Sequence, residues 1–222
     1  PFGAPLEAAT GVTALFQPAG HILGSASVLL SLDGPAPRRI VFSGDLGRPN
    51  HPLFKPPAPI PEADFVVTES TYGDRRHEDE ATALLTFAEA ITRTAKRGGT
   101  VVIPSFAVDR TEVVLFHLRR MIRQNAIPGL PIFVDSPMAL AALRVYRDAL
   151  SSGSPELRPR IPDDGDPFDP GRLTEVQSVE QSRAINEQAF PSVIISASGM
   201  ATGGRVLHHL ARRLPDHRSM VI

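Results

Sequence analysis

From about residue 78 onward the chain changes its period, and that change restricts the folds open to it more than any other feature. Residues 79–96 carry Leu84, Leu85, Phe87, Ala88 and Ile91 at the spacing of one helical face. Gly98-Gly99 ends that stretch, and 100–103 is an apolar run of strand length. The alternation then repeats. A helix is expected over 110–124, with Val113, Val114, Phe116, Leu118, Met121 and Ile122 apolar, then a strand at 131–134 and a helix at 137–150. Residues 174–188 read as helical, 192–196 as a strand and 205–214 as a helix. Strands alternating with helices build βαβ units on a parallel sheet. The first third reads differently, with strands at 13–16, 26–32, 39–42 and 64–68 joined by long loops. The proline-rich stretch 48–63 is expected on the surface, because proline cannot donate to a strand ladder. Residues 151–171, rich in Ser, Pro, Gly and Asp, predict a mobile excursion. Residues 219–222 read as the opening of a buried strand. The expectation is an α/β protein with one part over 1–77 and a second, with a mainly parallel sheet, over 78–222.

Composition removes several chemistries. With no cysteine among 222 residues, disulfides, thiolate zinc sites and a cysteine nucleophile are excluded. No apolar run is long enough for a membrane helix, so none is expected, and the first residues do not show the charged-then-apolar pattern of a signal peptide. A net charge of −1 means that any nucleic-acid contact must come from a local patch. A cytoplasmic location is expected. The chain starts at Pro1 and stops inside an apolar run, so a piece of a longer protein is expected.

Polar clusters fall where strands should end: Gly20-His21, Gly44-Asp45, Glu69-Ser70, Asp135-Ser136 and 196–199. Ligands gather outside the carboxyl ends of strands in α/β sheets, although turns favour the same residues locally. Imidazole and carboxylate are what zinc accepts when thiolate is absent, so His21 and Asp45 form a candidate metal pair. The remaining histidines show no H-x-H or H-E-x-x-H spacing. Residues 198–205 (SGMATGGR) follow a strand and open a helix, a backbone suited to an anion. Arg205 and Val206 stand where a Walker loop needs Lys and Ser/Thr, so ATP chemistry is not expected. Arg110, also at a helix start, is placed to fork onto a phosphate. Asp135-Ser136-Pro137 reads as a helix start with Ser136 as cap. His208 and His209 point about 100° apart and cannot share a metal, so packing or a helix-end charge is expected for one of them.

Taken together, PAGHILGSAS, VFSGDLGRPNHPL and VVTESTYGDRRH resemble the second half of a metallo-β-lactamase-fold hydrolase. GGTVVIPSFAVDRTE, IFVDSPMAL and IISASGMATGGRVLHHL resemble the β-CASP domain inserted in that fold. The nearest likeness is to bacterial RNA-processing β-CASP nucleases, relatives of the cleavage-and-polyadenylation endonuclease. The resemblance implies half of an αββα sandwich with an inserted α/β domain. It further implies a site for two zinc ions, with Mn²⁺ as a substitute, that hydrolyses the phosphodiester of single-stranded RNA through a metal-bridged hydroxide. His21 matches a histidine metal ligand, Asp45 the bridging and catalytic aspartate, and Glu69 an acidic residue that supports the site. Ser198, Gly199, Gly203, Gly204, Arg205 and Arg110 match segments near the RNA path. Apart from the resemblance, Arg110, Arg119, Arg120, Arg205, Arg212 and Arg213 are candidates for local phosphate contacts despite the near-neutral net charge. The family's H-x-H-x-D-H signature belongs before His21 and its last histidines after the final residue, so a complete site is not expected from these residues alone. A nuclease-dead RNA-binding scaffold, or the same fold acting on DNA or a small phosphoester, is the alternative. A homodimer is left open.

Overall fold

A computed structural model describes residues 1–76, 78–159, 161 and 165–222. The chain divides into two units, Pro1–Arg76 with Leu150–Pro159, and His77–Ala149 with Arg160–Ile222.

In the first unit β1 (Pro5–Ala9), β2 (Val12–Pro18), β3 (Ala26–Leu32), β4 (Arg38–Phe42) and β5 (Phe65–Val67) form one sheet in that order. Strands β1 to β4 are an antiparallel meander, and β5 runs parallel to β4. β1 has no counterpart in the sequence reading, because every residue of PLEAA is exposed and no apolar alternation marks it. Pairing alone holds it, from Pro5 opposite Leu15 to Ala9 opposite Val12. The proline-rich stretch carries the chain from β4 to its parallel neighbour, which a tight hairpin cannot do. It is not all surface. Leu53 and Phe54 are buried, and the N–H groups of both donate to Nδ1 of buried His51.

Residues 150–159 pack in this unit, which corrects the expectation of a mobile excursion there. Phe54 bridges to Leu157, the Lys55 amide donates to the Glu156 carbonyl, and the Arg158 amide donates to the Leu53 carbonyl. The Arg158 guanidinium adds bonds to the carbonyls of His51 and Pro49. Turn-rich composition set the path of this backbone, while one buried leucine and these carbonyls fixed it. Residues 160 and 162–164 of the same stretch lie outside the described residues.

One face of the sheet is apolar and open. The cross-strand row Phe16, Val28, Phe42, Val67 lies beside the row Leu6, Ala14, Leu30, Ile40, Phe65. Leu6, Phe16, Phe42, Phe65 and Val67 are all exposed.

In the second unit α1 (Glu80–Lys96), β6 (Thr100–Pro104), α2 (Arg110–Arg123), β7 (Ile132–Asp135), α3 (Pro137–Ser151), β8 (Leu173–Glu175), α4 (Val179–Glu187), β9 (Ser192–Ser196), α5 (Val206–Arg213) and β10 (Met220–Val221) follow one another. The sheet order is β10-β6-β9-β7-β8, and every pair is parallel. β7 and β9 are buried throughout, as continuous apolar strands between helices should be. Helix 174–188 needs correcting: residues 173–175 are an edge strand and the helix starts at Val179. Ser178 and Gln181 form a capping box that fixes this start. The terminal strand is also corrected. It exists, but at the sheet edge, with Val221 exposed. The buried face of α2 carries Glu112, His117 and Arg119 beside Val113, Leu115, Leu118 and Met121.

Candidate functional site

The first cluster grows from strand direction in the first unit. Because β3 runs antiparallel to β2 and β4, the end of β2, the start of β3 and the ends of β4 and β5 share one edge. His21, Asp45 and Glu69 lie in the loops that leave that edge. The Ser25 hydroxyl accepts from the amides of His21 and Ile22, at 3.0 and 3.2 Å, and closes the His21 loop. Glu156 accepts from the Gly24 amide at 3.0 Å. The Asp45 loop is pressed against the His21 loop: the Gly47 amide donates to the Ala19 carbonyl at 2.9 Å. A Cβ on Gly47 would stand 1.8 Å from the Gly20 carbonyl oxygen, so only glycine permits this approach.

These loops bring His21 Nε2 to 4.0 Å from Asp45 Oδ2, with side chains 45% and 77% exposed. Glu69 joins them from β5. Its carboxylate accepts from the Leu46 amide at 2.8 Å, and its own amide donates to the Ser43 hydroxyl at 3.2 Å. The Leu46 amide, then the Thr71 side chain, hold the Glu69 carboxyl below its ordinary range against the cost of burial, with His21 helping. Glu69 therefore stays ionised and ties down the Asp45 loop. The gap between His21 and Asp45 accommodates one ion, since zinc lies about 2.0–2.2 Å from nitrogen and oxygen donors. Two open donors of the right type fit a metal. Among the described residues no group of three or more such side chains surrounds one position.

The second cluster lies at the carboxyl edge of the parallel sheet. The Gly-rich turn after β9 packs against the loop after β6, where a Cβ on Gly199 would meet Phe106 at 2.8–2.9 Å. Gly204, with φ +77, lets the turn close on the Ala197 carbonyl. Ser198, Gly199, Gly203 and Gly204 thus share one turn, and Arg110 is exposed at the start of α2. Arg205 is placed differently from the expectation of a free phosphate contact. Its Nη1 donates to Asp135 Oδ1 at 2.7 Å, and Nη2 donates to the Gln177 carbonyl at 3.1 Å. Arg213 is also spent internally, on the carbonyls of Ile185 and Gln188 that end α4, and Arg119 is buried.

Asp135 is the residue that sequence reasoning missed. Ser136 does cap α3, accepting from the Ala139 amide, but Asp135 caps nothing. Fully buried at the end of β7, its carboxylate takes bonds from Ser182 at 2.5 Å, Arg205 at 2.7 Å and His209 Nε2 at 2.7 Å. His209 Nδ1 lies 2.9 Å from Asn186 Oδ1. Burial pushes the Asp135 carboxyl up, but His209, Ser182 and Arg205 together outweigh it and hold it below its usual value. One carboxylate thereby joins β7, α4 and α5 and sets where the Gly-rich turn enters its helix. A signal for this existed: Val206, His209 and Arg213 recur at helical spacing and are the buried stripe of α5.

A family model described as the Beta-Casp domain matches residues 111–222. The chain belongs to the β-CASP family. That domain is the half of the chain carrying most of the parallel sheet and the Asp135 junction. A β-CASP relative, ribonuclease TTHA0252 of Thermus thermophilus, is 38% identical over 93% of this chain and 47% of its own length. An RNase J-like protein of Methanocaldococcus jannaschii is 32% identical over 93% of this chain and 47% of its own. Transcription termination factor FttA of Methanosarcina mazei is 31% identical over 97% of this chain and 34% of its own. The chain thus spans half or less of the length of these relatives. Among the described residues no helix is long and apolar enough to cross a membrane.

Proposed function

We propose that the protein hydrolyses RNA phosphodiesters as a metal-dependent β-CASP ribonuclease. The observation that carries this reading is the pairing of His21 with Asp45, two exposed metal-type donors 4.0 Å apart in loops anchored by Glu69. The names of two relatives, ribonuclease and RNase J-like protein, agree with it. The open apolar sheet face supports assigning the first unit to half of a metallo-β-lactamase sandwich, since such a face needs a second layer.

His21 and Asp45 would hold zinc, or manganese in its place, with further donors from outside the described residues. A bound pair of such ions supplies a low-pKa water and neutralises charge on the phosphoryl oxygens. The chain's own residues do the rest. Glu69 keeps the Asp45 loop in position through Leu46. The Gly199–Gly204 turn offers backbone close to a phosphate, because Gly203 has no atom within 4 Å of where a Cβ would stand. Arg110 adds an exposed cation at the same sheet edge. Asp135 positions the turn through Arg205.

The test is cleavage of a labelled single-stranded RNA with and without chelator, for wild type and Asp45→Asn. Chelator should abolish cleavage, zinc or manganese should restore it, and the variant should lose about 10²–10³-fold, as loss of a key electrostatic stabiliser does. Chelator-resistant cleavage, or an active Asp45→Asn, would overturn the reading. RNA binding without any cleavage by wild type would replace it with the scaffold reading.

A further inference from the structure

Helices α4 and α5 leave a cavity of about 480 Å³ between them, in the second unit and built from neither His21, Asp45 nor Glu69. Val179, Ser182, Arg183, Asn186 and Glu187 line it from α4, and Arg205, His208 and Arg212 from α5. The α5 residues fall at i, i+3 and i+7, one face of the helix. Residues 205–218 place four arginines and three histidines against a single acid, Asp216, which is already paired with Arg218.

The charges facing the cavity are unequal in availability. Arg205 is neutralised by Asp135. Glu187 is the one carboxylate in the lining; the Glu180 carboxyl is held low first by its own backbone amide and the Ser178 side chain, with Arg183 and Arg205 adding to this. Among the described residues Arg183 has no hydrogen bond or ion pair. Arg212 donates only through Nε, to the Asn186 carbonyl at 3.5 Å, which leaves its terminal fork open. Two free guanidinium forks thus face one concave space, with the Ser182 and Asn186 side chains beside them. Arginine forks match the paired oxygens of a phosphate, and a strand of RNA carries one such group per nucleotide.

We propose that this groove binds the phosphodiester backbone of single-stranded RNA as an exosite, through Arg183 and Arg212. The inference rests on the ribonuclease reading and extends it: the substrate is gripped on α4 and α5 as well as at the strand-end loops. Arg205 supports the groove from beneath without itself contacting the strand. The contact reads backbone and not base, so it confers affinity without sequence preference.

The experiment is fluorescence anisotropy of a labelled single-stranded RNA across a salt series, in chelator so that no cleavage occurs. Wild type is compared with Arg183→Ala, Arg212→Ala, their double variant, Arg183→Lys, and the control Arg218→Ala outside the groove. Each alanine variant should bind several-fold more weakly at low salt and flatten the log–log salt slope by about 0.7, the value per lost phosphate contact on a single strand. The double variant should flatten it by about twice that. Arg183→Lys should recover the slope, and Arg218→Ala should match wild type. Inorganic phosphate at millimolar concentration should not displace the RNA, whereas displacement would show a site for free phosphate and overturn the proposal. A double variant with wild-type affinity and slope would also overturn it while leaving the ribonuclease reading standing. If wild type binds no RNA, the ribonuclease reading itself fails.

Discussion

Glu112 is a costly residue of the second unit. It is fully buried on α2, and neither carboxyl oxygen has a hydrogen-bond partner among the described residues. Burial pushes its carboxyl up to about 8, the nearby backbone amides oppose this, and the charge of Asp109 adds to it. An unfolded chain releases the same proton near 4.5. The folded state therefore holds the proton more tightly, so stability from this group is full below pH 4.5 and is lost as pH rises through about 8. Denaturant unfolding at several pH values should show wild type weakening toward alkaline pH and Glu112→Gln weakening less. At about pH 8.5 the variant should be the more stable, because its neutral amide avoids the buried, unpartnered charge that Glu112 carries there. Equal pH dependence in both proteins would show that Glu112 is not the titrating group.

Asp135 makes the opposite arrangement at the same scale. Its charge is buried too, but three donors surround it, one of them the partnered His209, so the group is satisfied where Glu112 is not. Neither role was visible in local sequence. Asp135 precedes a Ser-Pro helix start and Glu112 sits in a helix first turn, where acids are common for dipole reasons alone. Their real surroundings come from elements 47 or more positions away for Asp135, which no window of local pattern contains.

Between elements, glycine decides whether the first cluster exists. The His21 and Asp45 loops touch through Gly20 and Gly47, and the loop of Lys55 closes on Gly20 from the other side. In Gly47→Ala the new Cβ would run into a single backbone peptide, the Gly20–His21 unit, with the Gly20 carbonyl oxygen at 1.8 Å and the His21 amide nitrogen at 2.7 Å. Backbone cannot swing away as a side chain can, so the loops must separate. The variant should lose about 1–3 kcal/mol of stability, as overpacked sites do, and bind metal more weakly. Wild-type unfolding and metal affinity in this variant would show that the loops are not held by that contact.

The alternation of strands and helices after residue 78 was legible because a parallel sheet buries its strands whole and its helices on one face. β1 was not, since an exposed edge strand carries no period. The placement of His21, Asp45 and Glu69 at strand ends was legible as well. Their convergence was not, because it depends on β3 running antiparallel to two neighbours, a matter of pairing and not of composition. Arg205 misled for the reverse reason. Its place at a helix start suggested an anion, and the anion that it meets is the protein's own Asp135.

At the scale of the whole molecule, the two units carry different parts of one proposed activity. The first holds the metal-type donors, and the second, matched by the β-CASP model over 111–222, holds the Gly-rich turn and the α4–α5 groove. The relatives are matched over about half or less of their own length, and the proposed two-metal site needs donors beyond His21 and Asp45. The proposed activity depends on His21 and Asp45 acting as metal ligands. Elemental analysis of the protein, purified in its full length without chelator, tests this most directly alongside Asp45→Ala and His21→Ala. The account predicts about two zinc or manganese ions per wild-type chain, as a two-metal phosphodiesterase needs, and clear loss of metal in both variants. Wild type without bound metal, or variants that keep the full complement, would contradict it.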